Sequence, residues 1–365
     1  MKTETSDERR ARHIMIVKRI IIGVLTAAFI IGGLIPMSVV AFLMHKNFGR
    51  CEYVDDRFTC DYRYEHYAAE YPRLDVSFKS GKNTLRGHIY GAENTRGLIV
   101  FAHGIGTGHE SYIEILLALA DRGWRVFAYD ATGCCESDGD GTQGLTQSAF
   151  DLDAALTFAE SDERLSGLPT FVLGHSWGGY ASAAVLNFGH ELKACATLSG
   201  FSEPMKELTD TAQVILGKAG KLMKPYIALY CRMKFGRDYD LSAVDGINKA
   251  DIPVLVIHGK NDRTVRYDSA AIINQKKRIK NKQVKYTVMK KKRMRGHNNY
   301  LFSKKAIKYI YSVVNPAYQE LFDEYYGTIP DDAREQFFRE LDADLLNEIN
   351  MDVVDAVDEF FGASL

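Results

Sequence analysis

From about residue 73 onward, apolar residues come in short runs separated by stretches with helical spacing. "LDVSF" and "TLRGHIY" alternate apolar and polar positions on either side of "KSGKN", and predict a leading antiparallel hairpin. Six further runs follow: "GLIVFAH", "WRVFAYD", "TFVLGHS", "ACATLSG", "PVLVIHG" and "VKYTVM". Nearly continuous apolar runs of this length, alternating with helices, predict strands buried on both faces of a mostly parallel sheet. The fold class is therefore α/β. Between "SGF" and "IPVLVIHG" lie roughly 50 residues, far more than an ordinary αβ connection. Their "AQVILGKAGKLMKPYIALYCRMKF" mixes apolar and basic residues at helical spacing, which predicts a small helical cap at about 202–250.

The two ends of the chain break this pattern. Ile20 to Met44 contains no charged residue. A membrane-crossing helix needs about 20 such residues, whereas the apolar core of a signal peptide spans about 7–15. A single transmembrane anchor at 20–44 is predicted. Arg9, Arg10, Arg12, Lys18 and Arg19 precede it, against Lys46, Arg50 and Arg57 after it. That asymmetry places residues 1–19 in the cytoplasm and the rest of the chain outside it, on a single-pass protein of the cell membrane. Residues 45–70 read as a juxtamembrane linker, 71–315 as the main domain, and 316–365 as an acidic extension. Within the extension, "DDAREQFFRELDADLLNEI" predicts one or two amphipathic helices.

Charge sharpens the picture locally. The net charge of −1 gives no reason to expect a nucleic-acid partner. From Lys276 to Lys308 there are 14 Lys/Arg and no acidic residue, and from Pro316 onward 14 Asp/Glu face only Arg334 and Arg339. The two segments could neutralise each other by packing together, so the basic run need not serve a nucleic acid. The six cysteines lack metal-site spacing; Cys51 and Cys60 could form a disulfide on an oxidising side.

The chemistry begins at Gly174-His175-Ser176-Trp177-Gly178, between a predicted strand and a helix rich in small residues. This is the setting of a strained strand-to-helix turn that exposes a nucleophilic serine. Such a serine needs a base, and the base an orienting carboxylate, both later in the chain in the order acid then histidine. Only His190, His258 and His297 follow Ser176. His258 ends a strand and reads as structural. His297 lies on the loop after the last predicted strand, where a base is expected, and Asp262 lies just past the end of the preceding strand, where α/β sheets keep their sites. The basic run "KKKRMR" thus serves to deliver His297. "HGIG" at 103–106 ends the first parallel strand, so the backbone N–H groups of Ile105 and Trp177 are the expected oxyanion donors. His103 and His109 lack the further ligands a metal would need; neither a metal nor another cofactor is expected.

"HGIGTGHESYIEILLALADRGWRVFAYDATGCCESDGDG" followed by "GHSWGGY" resembles the serine-hydrolase branch of the α/β-hydrolase fold that includes monoacylglycerol lipases, lysophospholipases and related esterases. The resemblance spans roughly residues 73–315. It implies Ser176 as nucleophile, Asp262 as acid and His297 as base. The family's Asp-x-x-Gly-x-Gly-x-Ser-x-Gly element is present as Asp130, Gly133, Ser137 and Gly139, with Cys135 at its second glycine position. The expected function is a membrane-anchored serine hydrolase acting on carboxylic esters, lipid or acyl-glycerol-like, through an acyl-enzyme. Leu216, Leu222, Met223, Ile227 and Leu229 of the cap are candidates for a greasy rim. A peptidase or acyltransferase could use the same triad, and a non-catalytic binding protein could use the same fold.

Overall fold

The computed structural model describes residues 5–365. Eight strands form one sheet in the order β1-β2-β4-β3-β5-β6-β7-β8. They are β1 (Arg73–Ser80), β2 (Asn83–Tyr90), β3 (Leu98–Ala102), β4 (Arg125–Tyr129), β5 (Thr170–His175), β6 (Leu192–Leu198), β7 (Val254–Gly259) and β8 (Val284–Met289). The hairpin β1–β2 is antiparallel, in register from Arg73↔Tyr90 to Ser80↔Asn83, and β2 joins β4 antiparallel. Every later pairing is parallel. All five residues of β3 and all six of β7 are buried, as strands covered on both faces should be. The edge strand β1 instead alternates, burying Val76, Phe78 and Ser80.

Two apolar cores flank the sheet. Each recruits one end of the chain. A helix from Ser6 to Asn47 is long and apolar enough to cross a membrane, judged by length and composition. Its first part is exposed, Phe29 to 65%. From Gly33 onward, Pro36, Met37, Val40 and Met44 form a partly or fully buried stripe at intervals of three or four. Val40 and Met44 join one core there. A π-helical turn at Ile30–Leu34 precedes Pro36. Pro36 has no N–H to offer the Gly32 carbonyl one turn back, and the Tyr226 hydroxyl of the cap donates to it instead. The sequence marks 20–44 as one uniform span, yet its last dozen residues lie on protein. Residues 1–4 of the expected cytoplasmic tail fall outside the described residues.

At the other end, the helix Met351–Gly362 buries Val353, Val354, Val357 and Phe361 in the second core. Phe361 sits 4.8 Å from the Phe171 ring, and Asp358 accepts from the Trp124 indole at 2.7 Å.

Two expectations need correction. The acidic extension does not neutralise the basic run. Asp355 and Asp358 pair with Arg122 and Arg96 of the main domain. Among the described residues, Lys305–Glu348 at 3.9 Å is the one ion pair linking the run to the extension. The apolar stripe of the last helix fixes where its carboxylates fall, and exposed lysines gain too little from pairing to override it. Nor do Cys51 and Cys60 pair; both are free thiols. The Cys51 N–H donates to the Gly133 carbonyl (2.9 Å) and its own carbonyl accepts from Cys135 (2.7 Å), so this segment runs beside the 133–135 loop. That sets Cys51 opposite Cys134, while the Cys60 thiol faces the Phe338 carbonyl.

The cap lies between β6 and β7. It contains the helices Pro204–Leu216 and Lys224–Phe235, joined by the 3₁₀ turn Gly217–Met223.

Candidate active site

Ser176 sits between β5 and the helix Trp177–Ala184 with φ 57° and ψ −112°, a conformation that L-residues rarely adopt. The surrounding glycines make the turn possible. A Cβ on Gly178 would lie 1.9 Å from the Ala102 carbonyl oxygen, and one on Gly174 2.2 Å from that of Gly178. The strain holds the Ser176 hydroxyl at the C-terminal ends of the central strands, where the loops after β3, β7 and β8 converge.

His297 Nε2 is 2.8 Å from Ser176 Oγ, and His297 Nδ1 is 2.6 Å from Asp262 Oδ2. A carboxylate only accepts, so Nδ1 carries the proton and Nε2 is free to accept from the serine. Asp262 is fixed by the backbone N–H groups of Thr264 and Val265, at 2.9 and 3.0 Å on Oδ1. Burial pushes its carboxyl up, but hydrogen bonds from His258 and His297 outweigh this and hold it well below the usual carboxylate range. The acid is therefore ionised wherever the protein is folded at ordinary pH.

Several positioning groups escaped sequence reasoning. His258 Nε2 lies 3.1 Å from Asp262 Oδ2 and 3.0 Å from the Val265 carbonyl. Both partners only accept, so His258 carries its proton on Nε2 and braces the carboxylate. The four-residue spacing of His258 and Asp262 was an available signal. The His297 carbonyl accepts from His175 Nε2 (3.3 Å) and Ser199 Oγ (3.1 Å), and Tyr300 backs Ser199 at 2.8 Å. His175 Nδ1 accepts from the Tyr112 hydroxyl (2.9 Å), which accepts from Gly104 N–H at 3.2 Å. Burial pushes His175 down to about 3, so it stays neutral. A chain of hydrogen bonds thus ties the Gly104 loop to the backbone of His297. No local pattern could reveal contacts between residues more than 60 positions apart.

Ile105 lines the same cavity as Ser176 and His297, and Trp177 opens its helix, so its N–H lies outside the intrahelical ladder. His103 is a scaffold: its Nδ1 faces the Gly104 carbonyl at 2.7 Å and its Nε2 accepts from Ala131 N–H at 2.9 Å. His109 Nδ1 lies 2.8 Å from Asp130. Cys135, at the position where the resemblance implies glycine, keeps a positive φ of 43°.

The cavity at Ser176 is about 450 Å³, with polar and apolar groups lining it in similar measure. Asp61, Glu110 and Glu114 line it, and no Lys or Arg does among the described residues. Burial pushes Glu114 up to about 7. Of the cap residues expected to form an apolar rim, Leu216, Met223 and Ile227 line a neighbouring apolar slot. Leu222 and Leu229 point outward, 73% and 51% exposed. A larger cavity, about 1120 Å³, opens near Pro169 and Leu192, at the opposite ends of the strands from Ser176.

A family model described as alpha/beta hydrolase fold matches residues 97–229. A search of curated proteins finds no match. Among solved structures, an esterase from Pyrococcus furiosus is similar at 16% identity, covering 76% of this chain and 96% of its own, with a TM-score of 0.51. An alpha-beta hydrolase from Vibrio vulnificus is similar at 16% identity, covering 77% and 92%, with a TM-score of 0.52. With the strand order and the strained turn at Ser176, these likenesses give the chain the α/β-hydrolase fold.

Proposed function

We propose that this protein is a serine hydrolase that cleaves carboxylic esters through an acyl-enzyme, anchored to a membrane by its N-terminal helix. The observation that carries the reading is the unbroken relay from Asp262 through His297 to Ser176. Ser176 Oγ attacks the ester carbonyl carbon as His297 Nε2 takes its proton. Asp262 stabilises the imidazolium without taking a proton itself. Charge builds on the former carbonyl oxygen, where the N–H groups of Ile105 and Trp177 serve as donors; one such donor is typically worth about 2.7–4 kcal/mol. Collapse breaks the bond to the alcohol oxygen, which leaves with the proton from His297. Water, deprotonated by the same histidine, then releases the acid and restores Ser176.

The cavity lining narrows the alcohol. Of the lining carboxylates, Glu110 is neutralised by Arg73 at 2.7 Å and burial pushes Glu114 up to about 7, so Asp61 is the remaining anion and the lining suits a neutral polyol. This supports the narrower likeness to monoacylglycerol lipases. The Lys/Arg asymmetry around residues 20–44 favours a catalytic domain outside the cytoplasm.

A fluorophosphonate probe tests the reading. The wild-type protein is expected to be labelled one to one and to lose ester hydrolysis, and Ser176→Ala to take up no label while keeping its fold by circular dichroism. Unlabelled wild-type protein would favour a binding protein on this fold, and equal labelling of the variant would move the nucleophile elsewhere.

A further inference from the structure

Two cavities meet beside Ser176. The one that Ser176 lines, of mixed polarity, shares Ile105 and Thr264 with an apolar slot of about 230 Å³. One wall of the slot is the cap, through Leu208, Ala212 and Ile227. The opposite wall is the N-terminal helix, through Val40, Leu43 and Met44. The helix is fastened in place there: Val40 and Met44 are buried, and Tyr226 of the cap grips its Gly32 carbonyl. The far part of the same helix carries the exposed apolar run Ile20–Ile31. A segment whose composition reads as a plain anchor therefore also shapes the space next to the catalytic serine.

We infer that this slot holds the aliphatic acyl chain of the ester, and that Val40, Leu43 and Met44 of the N-terminal helix determine which chain lengths are accepted. The inference rests on the hydrolase reading. Ile105 is the hinge of the argument, because it borders both spaces. A carbonyl held at Ser176 with its oxygen toward the Ile105 N–H can direct its acyl side past the Ile105 side chain into the slot. The alcohol side then remains in the cavity at Ser176, near its polar groups Asp61, Tyr62 and Asn298. Each methylene that leaves water for the slot is worth about fourfold in kcat/KM. Between helix and cap the chain meets mostly hydrocarbon, with the buried Glu207 carboxyl as the main polar exception. In a bilayer, the slot and the lipid interior are joined along one helix, so a chain can pass from one to the other without crossing bulk water.

The test uses the full-length protein in detergent micelles with p-nitrophenyl acetate and p-nitrophenyl decanoate. Leu43→Trp fills the slot from the helix side and Ala212→Trp from the cap side. Each should lower the decanoate-to-acetate ratio of kcat/KM at least tenfold. Phe42→Trp, on the outward face at 66% exposure, should keep the wild-type ratio. If Leu43→Trp does not fold, Ala212→Trp carries the same reading, and Leu43→Ala should raise the dodecanoate-to-acetate ratio. A ratio within twofold of wild type in both slot-filling variants overturns the inference, as does an equal fall in Phe42→Trp. Acetate turnover that survives beside an indifferent ratio sinks this inference alone. Wild-type protein inert to both esters, or Ser176→Ala as active as wild type, sinks the hydrolase reading and this inference with it.

Discussion

Ser176, Asp262 and His297 stand on turns at the strand ends, held by hydrogen bonds and backbone contacts. Val40, Met44 and Phe361, from the two ends of the chain, are held almost wholly by buried hydrocarbon. The first region concentrates strain and polar contacts, and its side chains can be exchanged with little loss of packing. The second concentrates apolar burial and touches no reacting atom. Changes at the triad and at Phe361 should therefore separate activity from stability, while Val40 and Met44 bear on both.

The largest effect is expected at the acid. Asp262→Asn keeps the shape of the loop but no longer obliges His297 to carry its proton on Nδ1, and His258 competes for the same amide. Ester turnover should fall by about four orders of magnitude, with a melting temperature within a few degrees of wild type. Turnover within tenfold of wild type would place the working acid elsewhere and undo the contrast at its polar end.

Phe361→Ala should do the reverse. The ring is fully buried beside Trp124 and Phe171, and removing it leaves a cavity in the second core. A loss of about 3–5 kcal/mol is expected in urea denaturation, with kcat of the remaining folded protein unchanged. A stable variant with impaired catalysis would mean that the last helix reaches the site through the sheet.

Glu207 sits at the seam between the regions, in the slot beside the N-terminal helix. Burial, with Asp210 and Asp262 adding to it, pushes its carboxyl up to about 8, and its Oε2 has no protein partner. Unfolded, the group titrates near 4.3. Between these values the folded state binds the extra proton, so stability is fully present below about pH 4.3 and is lost as pH rises through 8. For this group alone the loss over the whole window is on the order of 5 kcal/mol, about half of it above pH 6. Glu207→Gln should flatten the fall in melting temperature between pH 6 and 9. An identical fall in both proteins would show that Glu207 is solvated.

The same contrast explains what the sequence disclosed. The central strands were legible because burial on both faces demands an apolar run, as in "PVLVIHG", and the edge strand β1 because its apolar positions alternate. Ser176, Asp262 and His297 are brought together by hydrogen bonds that the expected order of residues anticipates. The roles of Val40 and Phe361 were not legible. An apolar stripe looks the same whether it meets lipid, solvent or a sheet, and only the tertiary partner decides. Hence the acidic extension seemed drawn to the basic run by charge, when Phe361 and its neighbours fix its place. Ser199 and Tyr112 escaped notice for a related reason: a buried hydroxyl declares its role only through its partner.

The smallest effect is expected where the chain looks most unusual, in the basic run before His297. Lys290, Lys291 and Lys292 are exposed, whereas Met294 is buried and pins the loop. The backbone fixes the rest: Asn261 N–H donates to the Arg295 carbonyl at 2.8 Å, and Lys260 N–H to Met289 at 2.9 Å. Gly259 allows the close approach, since a Cβ there would lie 2.3 Å from the Gly296 carbonyl oxygen. Nothing in this arrangement uses the lysine charges. Replacing all three lysines by Gln should leave kcat/KM for a neutral ester within about twofold, because exposed charges act through fields screened over about 8 Å at physiological salt. His297→Ala alone should lower it by about four to six orders of magnitude. Weaker binding of the triple variant to vesicles containing anionic lipid would give the lysines a role at the membrane surface and leave the chemistry untouched. If the triple variant instead lost neutral-ester turnover as completely as His297→Ala, charge in this loop would be part of the catalytic apparatus, and the division between the two regions would fail where it is drawn most sharply.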